Sequence, residues 1–264
     1  MCLAVIALNA HARFSLIIVA NRDEYHDRPA LPAQIWTDNP QILAGRDLRA
    51  GGTWMGLAAT GKTGLLTNYR EPGKQNLNAP SRGVLVSHFL TSANAAQSYA
   101  VALDTEAASF NGFNLLLADA SSAHYLSNRM ENKTTQLENG VHGLSNATLN
   151  IAWPKLTRTR KAVSKLLADT TQPEPNDLFD IFRDAKPAKI AELPSTGLTP
   201  ERELQLSSPF ILDNLYGTRC STVIMADRFG QTYFEERSFN QQGEIIHVAK
   251  WHLDTLSQKF TPLT

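Results

Sequence analysis

The first twenty-eight residues, Met1 to Arg28, constrain the fold more than any other stretch of the chain. Two short apolar runs, CLAVIAL (2–8) and FSLIIVA (14–20), flank the polar sequence NAHAR. Runs rich in β-formers on either side of a polar turn predict a β-hairpin. The second run leads directly into NRDEYHDR (21–28), in which six of eight side chains are ionisable. Because exposed strand ends often carry binding and catalytic groups, this hairpin predicts a site at its charged end.

Cys2 gives the hairpin a second source of chemistry. The small side chain of Cys2 favours removal of Met1, which would leave a thiol and a free α-amine on the same residue. Such a pair is a self-contained nucleophile and base. The alternative is that Cys2 is a small buried hydrophobe, as most free cysteines are. A secretory signal is excluded, because the segment lacks a basic start and His11 and Arg13 interrupt its apolar run.

The opening of the chain resembles that of a known family. MCLAVIAL followed by VANRDEYHDRP is similar to the start of the NRDE-motif family, also called the Transport and Golgi organisation protein 2 family. The similarity continues through five further blocks: AGRDLRAGGTWMG (44–56), GLLTNYREP (64–72), SRG (81–83), GLSNA with WPK (143–155) and YGTRCSTVI (216–224). It therefore spans nearly the whole chain. The resemblance implies an N-terminal-nucleophile hydrolase fold.

The same resemblance, extended to cysteine-type N-terminal-nucleophile acylases, implies a set of site residues. The predicted catalytic residues are Cys2, Arg22, Asp23, Asn68, Asn146 and Arg219. In this assignment Asp23 holds the amine of Cys2, Arg22 stabilises its thiolate, and the asparagine amides bind the oxyanion. The ordinary alternatives are turn positions for the two asparagines and an ion pair for Arg219.

One departure from those acylases affects Arg22 and Asp23. In the acylases the arginine precedes the aspartate by a few residues, whereas these two are adjacent. Neighbours on a strand point to opposite faces, so both reach one site only if the strand bulges or ends there. Otherwise Asn21 shares the face of Asp23.

Composition narrows the class of protein. The 264 residues are 42% hydrophobic and 19% charged, with a formal net charge of zero and two cysteines. Zero net charge argues against a nucleic-acid partner, and no apolar run is long enough to span a membrane. Two cysteines make no disulfide framework and favour a reducing, cytoplasmic location. We expect a single domain over residues 1–264.

Residues 56–63 mimic a phosphate-binding loop. Gly56, Gly61, Lys62 and Thr63 satisfy the G-x-x-x-x-G-K-[ST] pattern. That loop works only before a helix, whose first amides bind the phosphates. Here GLLTNY follows and reads as a strand, so we expect a hairpin turn and no nucleotide.

The remaining segments read as follows. RPALPAQIW (28–36) is predicted as an extended loop, residues 81–103 as two helices with an Asn94–Gln97 capping pair, and residues 132–150 as a loop. Pro154 predicts the start of a helix to Asp169, with Lys155 on a basic, solvated face. A short helix (176–185) and a long irregular passage (186–217) typical of a lid come next, before strands at 218–227, 231–239 and 247–256.

Hairpin-linked strands with segregated helices predict the α+β class. The family resemblance implies its four-layer αββα form, with two mainly antiparallel sheets between helices. The first function that this permits is an amidohydrolase acting on a small acylated or peptide-like substrate. The second is a non-catalytic carrier of a hydrophobic anionic ligand such as haem or an acyl thioester.

The sequence predicts no cofactor and no resident metal. Asp23, Glu24, His26 and Asp27 match no standard metal-ligand spacing, so a solvated charged loop is the better interpretation. The other histidines are scattered without ligand-type spacing, and no haem ligand can be assigned. We expect a small-molecule substrate or hydrophobic ligand as the partner, and the sequence leaves the oligomeric state open.

Overall fold

The computed structural model describes residues 2–264, and of Cys2 the backbone alone. The described residues form two seven-stranded antiparallel sheets. The first has the order β10-β1-β2-β11-β12-β13-β14, with β1 Cys2–Leu8, β2 Phe14–Tyr25, β10 Gly140–Leu144, β11 Tyr216–Asp227, β12 Gln231–Phe239, β13 Ile245–Asp254 and β14 Lys259–Pro262. The second runs β3 to β9 in chain order, with β3 Ala30–Ile35, β4 Ile42–Asp47, β5 Met55–Ala58, β6 Thr63–Asn68, β7 Phe113–Ala118, β8 Ala123–Ser127 and β9 Thr134–Gln136.

The described residues form five α-helices, four of which cover the outer faces of the sheets. The five helices are α1 Gly83–Thr91, α2 Ala96–Leu103, α3 Pro154–Asp169, α4 Pro175–Phe182 and α5 Pro200–Gln205. The second sheet packs on α1 and α2, and the first sheet on α3 and α4. A third apolar cluster fills the space between the sheets. The predicted α+β class and four-layer arrangement are confirmed.

The hairpin of β1 and β2 is confirmed and lies in the middle of the first sheet. Ile6 and Ile18 face the second sheet, whereas Leu3 and Val19 face the helices. Both runs are therefore continuously apolar because both of their faces are buried. β2 continues through residues 21–25 as a strand, since β11 pairs with it as far as Tyr25.

Three strands lie in stretches predicted as loops: β3 within residues 28–36, and β9 and β10 within residues 132–150. Residues 30–35 form the edge strand β3, in which Pro32 is tolerated because the pairing with β4 is interrupted between Leu31 and Gln34. Residues 140–144 form β10 and pair with β1. The glycines of GVHGL have low strand propensity, so the sequence gives no strand signal here. The strand forms because its backbone pairs with the edge of β1.

Other local predictions have mixed outcomes. The segment around Gly61 is the β5–β6 hairpin turn, as expected. The two helices in 81–103 are confirmed, but Ala95 and not Asn94 caps α2, without a side-chain hydrogen bond. Pro154 begins α3 as predicted. Lys155, predicted on the solvated face, is buried, and its charge acts on the carboxyl group of Asp23 at the end of β2.

None of the helices in residues 2–264 is long and apolar enough to cross a membrane.

Leu116 tests the packing between the sheets. Its side chain is fully buried in the cluster between them. Leu116→Ala should lower the free energy of unfolding by about 2 to 5 kcal/mol, because it leaves a cavity. Urea denaturation would measure this, with Leu256→Ala at an exposed position as the control, where we expect a change within about 0.5 kcal/mol. Equal effects of the two substitutions would contradict this packing.

Candidate functional site

A cleft of about 410 Å³ opens where β2, the turn after β4 and the end of β6 meet. The charged side chains that border it are Arg22, Asp23, Glu24, Arg28, Asp47, Arg49 and Arg82. Residues 75–83 form one wall, and Asn68 and Trp54 lie on the other sides. Four arginines thus face one cleft in a chain whose formal net charge is zero.

Arg22 lies between the two sheets. Its guanidinium stacks on the indole of Trp54 at 4.1 Å from the ring centroid, and its Nη2 is 3.5 Å from Oδ2 of Asp47. Stacking on an aromatic face holds the planar guanidinium in one orientation and leaves its edge able to donate hydrogen bonds. Arg22 is therefore a fixed positive charge at the edge of the cleft.

Asp47 organises this side of the cleft. Its carboxylate accepts hydrogen bonds from Nε of Arg28 at 2.5 Å and from the amides of Arg49 and Ala50 at 3.0 and 2.9 Å. The amide bonds close a turn of the kind that aspartate favours, and Gly51 completes it with a φ of 76°. Burial alone would raise the pKa of Asp47, but the hydrogen bond from Arg28 brings the pKa below its usual value.

Asp23 lies on the opposite face of β2, beneath the helix layer. Its side chain is 1% exposed, and its Oδ1 accepts a hydrogen bond from Thr218 Oγ1 at 2.7 Å. Burial raises the pKa of Asp23 above that of an exposed aspartate. The positive charges of Lys155 and Arg70, and the hydrogen bond from Thr218, act in the opposite direction.

Arg22 and Asp23 point to opposite faces of β2, as expected for neighbours on a regular strand. β2 does not bulge at this point, and the irregularity lies in β11, between Thr218 and Cys220. Arg22 faces the second sheet and Asp23 faces the helices, while both border the cleft. Asn21 shares the face of Asp23, but its amide is used elsewhere, because it donates to Phe182 O and Pro209 O.

Asn68 and Asn146 are brought together. Nδ2 of Asn146 donates to the backbone oxygen of Asn68 at 2.8 Å, and the backbone oxygen of Asn146 accepts from the amide of Arg70 at 2.7 Å. Asn68 borders the cleft, whereas Asn146 is fully buried behind it. Asn68 is thus placed to contact a ligand. The side-chain amide of Asn146 holds Asn68 in place through one of its two hydrogens.

Arg219 lies further from the cleft than predicted. It is the extra residue at the irregularity in β11, and its Nη1 donates to Tyr25 O at 2.7 Å and Arg28 O at 3.2 Å. Burial lowers its pKa, and the charge of Arg22 lowers it further. Arg219 lines a separate pocket of about 100 Å³ behind Arg22, together with Cys220.

Met1 and the side chain of Cys2 lie outside the described residues. The backbone of Cys2 is described, and it pairs with Arg22 in the β1–β2 ladder. Within the part of the chain described here, no three His, Cys, Asp or Glu side chains are grouped to hold a metal ion.

Five residues of this region had not been predicted from the sequence as members of the site. They are Asp47, Trp54, Arg70, Lys155 and Glu203. The first four fall in blocks that carry the family resemblance, which was the available signal. Glu203 lies in the irregular passage and had none.

Comparisons with known proteins show the family of the chain. The family model for Transport and Golgi organisation 2 matches residues 1–241. The Transport and Golgi organization 2 homolog of Mus musculus is 34% identical over 257 residues, covering 92% of this chain and 91% of the mouse protein. The Homo sapiens homolog is 35% identical over 265 residues, covering 94% and 93%.

Among solved structures, the chain is similar to the C2A mutant of the conjugated bile acid hydrolase from Clostridium perfringens. The TM-score is 0.51 at 8% sequence identity, over 100% of this chain and 97% of that one. At this identity the likeness shows the fold alone, which is of the N-terminal-nucleophile hydrolase type.

Asp47 makes a testable contribution to acid stability. A carboxylate whose pKa is depressed by folding contributes stability above its unfolded pKa of about 3.9, and this stability is lost as the pH falls through the folded pKa. Asp47→Asn should therefore lower the free energy of unfolding by about 1 to 3 kcal/mol at pH 7. The difference should shrink below about pH 4.

Denaturant unfolding between pH 3 and 7 measures this difference. Asp38→Asn is the matched control, because Asp38 pairs with Arg46 in a more exposed position and should have the smaller effect. A difference for Asp47→Asn that stays constant across this range would contradict the assignment.

Proposed function

The chain belongs to the Transport and Golgi organisation 2 family, and from that premise we propose that it is an N-terminal-cysteine amidohydrolase. Its substrate is a small acylated or peptide-like molecule that carries an anionic group. The carrying observation is the register of the β1–β2 hairpin, which pairs Cys2 with Arg22 at the edge of an arginine-lined cleft. The fold supports the same chemistry, since the similar conjugated bile acid hydrolase also has a cysteine at its second position.

The reaction follows from an N-terminal cysteine. The α-amine takes the thiol proton, and the thiolate attacks the amide carbonyl, which becomes a tetrahedral oxyanion. The carbon–nitrogen bond then breaks, and the amine leaving group departs with the proton. Water hydrolyses the resulting thioester, which releases the acid and restores the thiol.

Described residues supply the supporting charges. The guanidinium of Arg22, fixed on Trp54, favours the thiolate. Asn68 is the candidate oxyanion donor, because it borders the cleft and its side-chain amide donates hydrogen bonds without an acidic proton that the oxyanion could remove. Asp23, which borders the cleft from the other face of β2, is the candidate partner of the ammonium form of the Cys2 amine. Arg219 lies behind Arg22 and adds a second positive charge there.

The arginines of the cleft favour an anionic substrate. Asp47 compensates part of the charge of Arg22 and Arg28, whereas Arg49 lies exposed at the rim. Guanidinium groups bind carboxylates and phosphates through paired hydrogen bonds. The cleft therefore fits a substrate with such a group beside its scissile amide.

A carrier of an anionic ligand is the second candidate. The same arginines favour it, because binding a carboxylate or phosphate requires no nucleophile. Haem and acyl thioesters both carry such groups beside a large apolar part. The two candidates differ in whether Cys2 is needed.

Replacing Cys2 separates these candidates. Cys2→Ala should abolish turnover and covalent labelling by an acylating probe, read by intact mass, while near-ultraviolet circular dichroism stays unchanged. Cys220→Ala is the matched control and should retain both activities, because Cys220 is buried in β11. Unchanged ligand binding by Cys2→Ala, with no turnover by the wild-type protein across a panel of amides, would support the carrier instead.

A further inference from the structure

A buried ion pair lies behind the cleft, between two segments that are distant in the sequence. Nη1 of Arg70 is 2.6 Å from Oε2 of Glu203, and the side chains are only 5% and 3% exposed. Arg70 follows β6 by two residues, and Glu203 lies on α5, within the long passage predicted as a lid. The pair therefore joins the end of β6 to that passage.

Glu203 is held in place by Thr196, which lies in the same passage. Its Oε1 accepts hydrogen bonds from the amide of Thr196, at 3.1 Å, and from the Thr196 hydroxyl. Both carboxylate oxygens are thus engaged, one within the passage and one with Arg70. Loss of the carboxylate charge at Glu203 would therefore weaken the link between the passage and the guanidinium of Arg70.

Arg70 connects this ion pair to the asparagines of the site. Its guanidinium stacks over Trp153 at 4.6 Å, and its backbone amide donates to the backbone oxygen of Asn146 at 2.7 Å. Asn146 in turn donates to the backbone oxygen of Asn68 at 2.8 Å. The chain of contacts thus runs from α5 to the residue that borders the cleft.

The ion pair of Arg70 and Glu203 fixes the relative position of its two side chains. Replacing a buried ion pair by apolar residues of similar volume is often neutral or favourable for stability. An ion pair does, however, hold its two partners in one geometry, which an apolar contact does not. Here the ion pair is connected through Asn146 to Asn68. A small displacement of Asn68 would change its distance to an oxyanion in the cleft.

We infer that Arg70 and Glu203 are positioning residues, which hold Asn146 and Asn68 in the arrangement needed for the reaction. This inference rests on the proposed function, since Asn68 matters in this way only if an oxyanion forms in the cleft. Neither residue touches the cleft, so neither contributes to binding of the substrate.

The test is Glu203→Gln, which keeps the size of the side chain and its bonds to Thr196 but removes the charge. We expect kcat to fall by about 10- to 100-fold, with KM within about threefold of wild type. Glu235→Gln is the matched control, because Glu235 is also a buried carboxylate and pairs with the partly buried Arg237 at 2.7 Å, away from the cleft. It should leave both parameters unchanged.

Arg70 provides a second variant if Glu203→Gln is poorly folded. Arg70→Lys retains the charge and should keep more activity than Arg70→Met. Equal losses in these two variants, a loss confined to KM, or an equal effect of Glu235→Gln would each overturn the inference.

A readout without turnover separates this inference from the proposed function. Hydrogen exchange of the Asn146 side-chain amide, followed by NMR, should accelerate in Glu203→Gln and not in Glu235→Gln. Faster exchange in a protein whose wild type turns over no amide would refute the hydrolase but retain the coupling. Normal exchange and a normal kcat in Glu203→Gln would refute the positioning role while leaving the hydrolase intact.

Discussion

A carboxylate removed from water at the end of β2 must be compensated by the protein, and much of the surrounding structure supplies this compensation. Asp23 is buried beneath the helix layer, where an isolated charge is strongly disfavoured. Thr218 on β11 donates to it, and the charges of Lys155 and Arg70 favour its ionised form. Arg70 is itself buried and requires Glu203. One aspartate thereby fixes the relation of α3, α5 and the end of β6 to the central hairpin.

The alternation of β2 divides the chemistry between two faces. Arg22 points between the sheets, where Trp54 and Asp47 hold it beside the cleft. Asp23 points towards the helices, where its partners are buried. The cleft can therefore carry an excess of positive charge while the network behind it is balanced. Such a division allows the cleft to recognise an anion without destabilising the buried carboxylate.

Sequence patterns predicted the elements whose signals are local. The runs CLAVIAL and FSLIIVA predicted β1 and β2, and Pro154 predicted the start of α3. β10 was missed because its glycines carry no strand signal, and β1 supplies its pairing from far along the chain. Lys155 was misplaced for a similar reason. A lysine on a basic helix normally faces solvent, whereas this one is buried near the carboxyl group of Asp23.

The site was predictable only in part. The resemblance indicated Arg22, Asp23, Asn68, Asn146 and Arg219, and the structure places the first three around the cleft, Asn146 directly behind Asn68, and Arg219 behind Arg22. Residues that hold these groups were not indicated. Asp47 is 25 positions from Arg22, and Glu203 is 133 positions from Arg70. Contacts at such separations depend on the tertiary fold and leave no periodic signal in the sequence.

The most direct test of the account is the pH dependence of Cys2 acylation in the wild-type protein and in Asp23→Asn. If Asp23 stabilises the protonated amine of Cys2, its replacement lowers the pKa of that amine. The rising part of the profile should then move to lower pH in the mutant, while the slow labelling of Cys220 stays the same. Superimposable profiles would contradict the account, because they would remove Asp23 from the chemistry of Cys2.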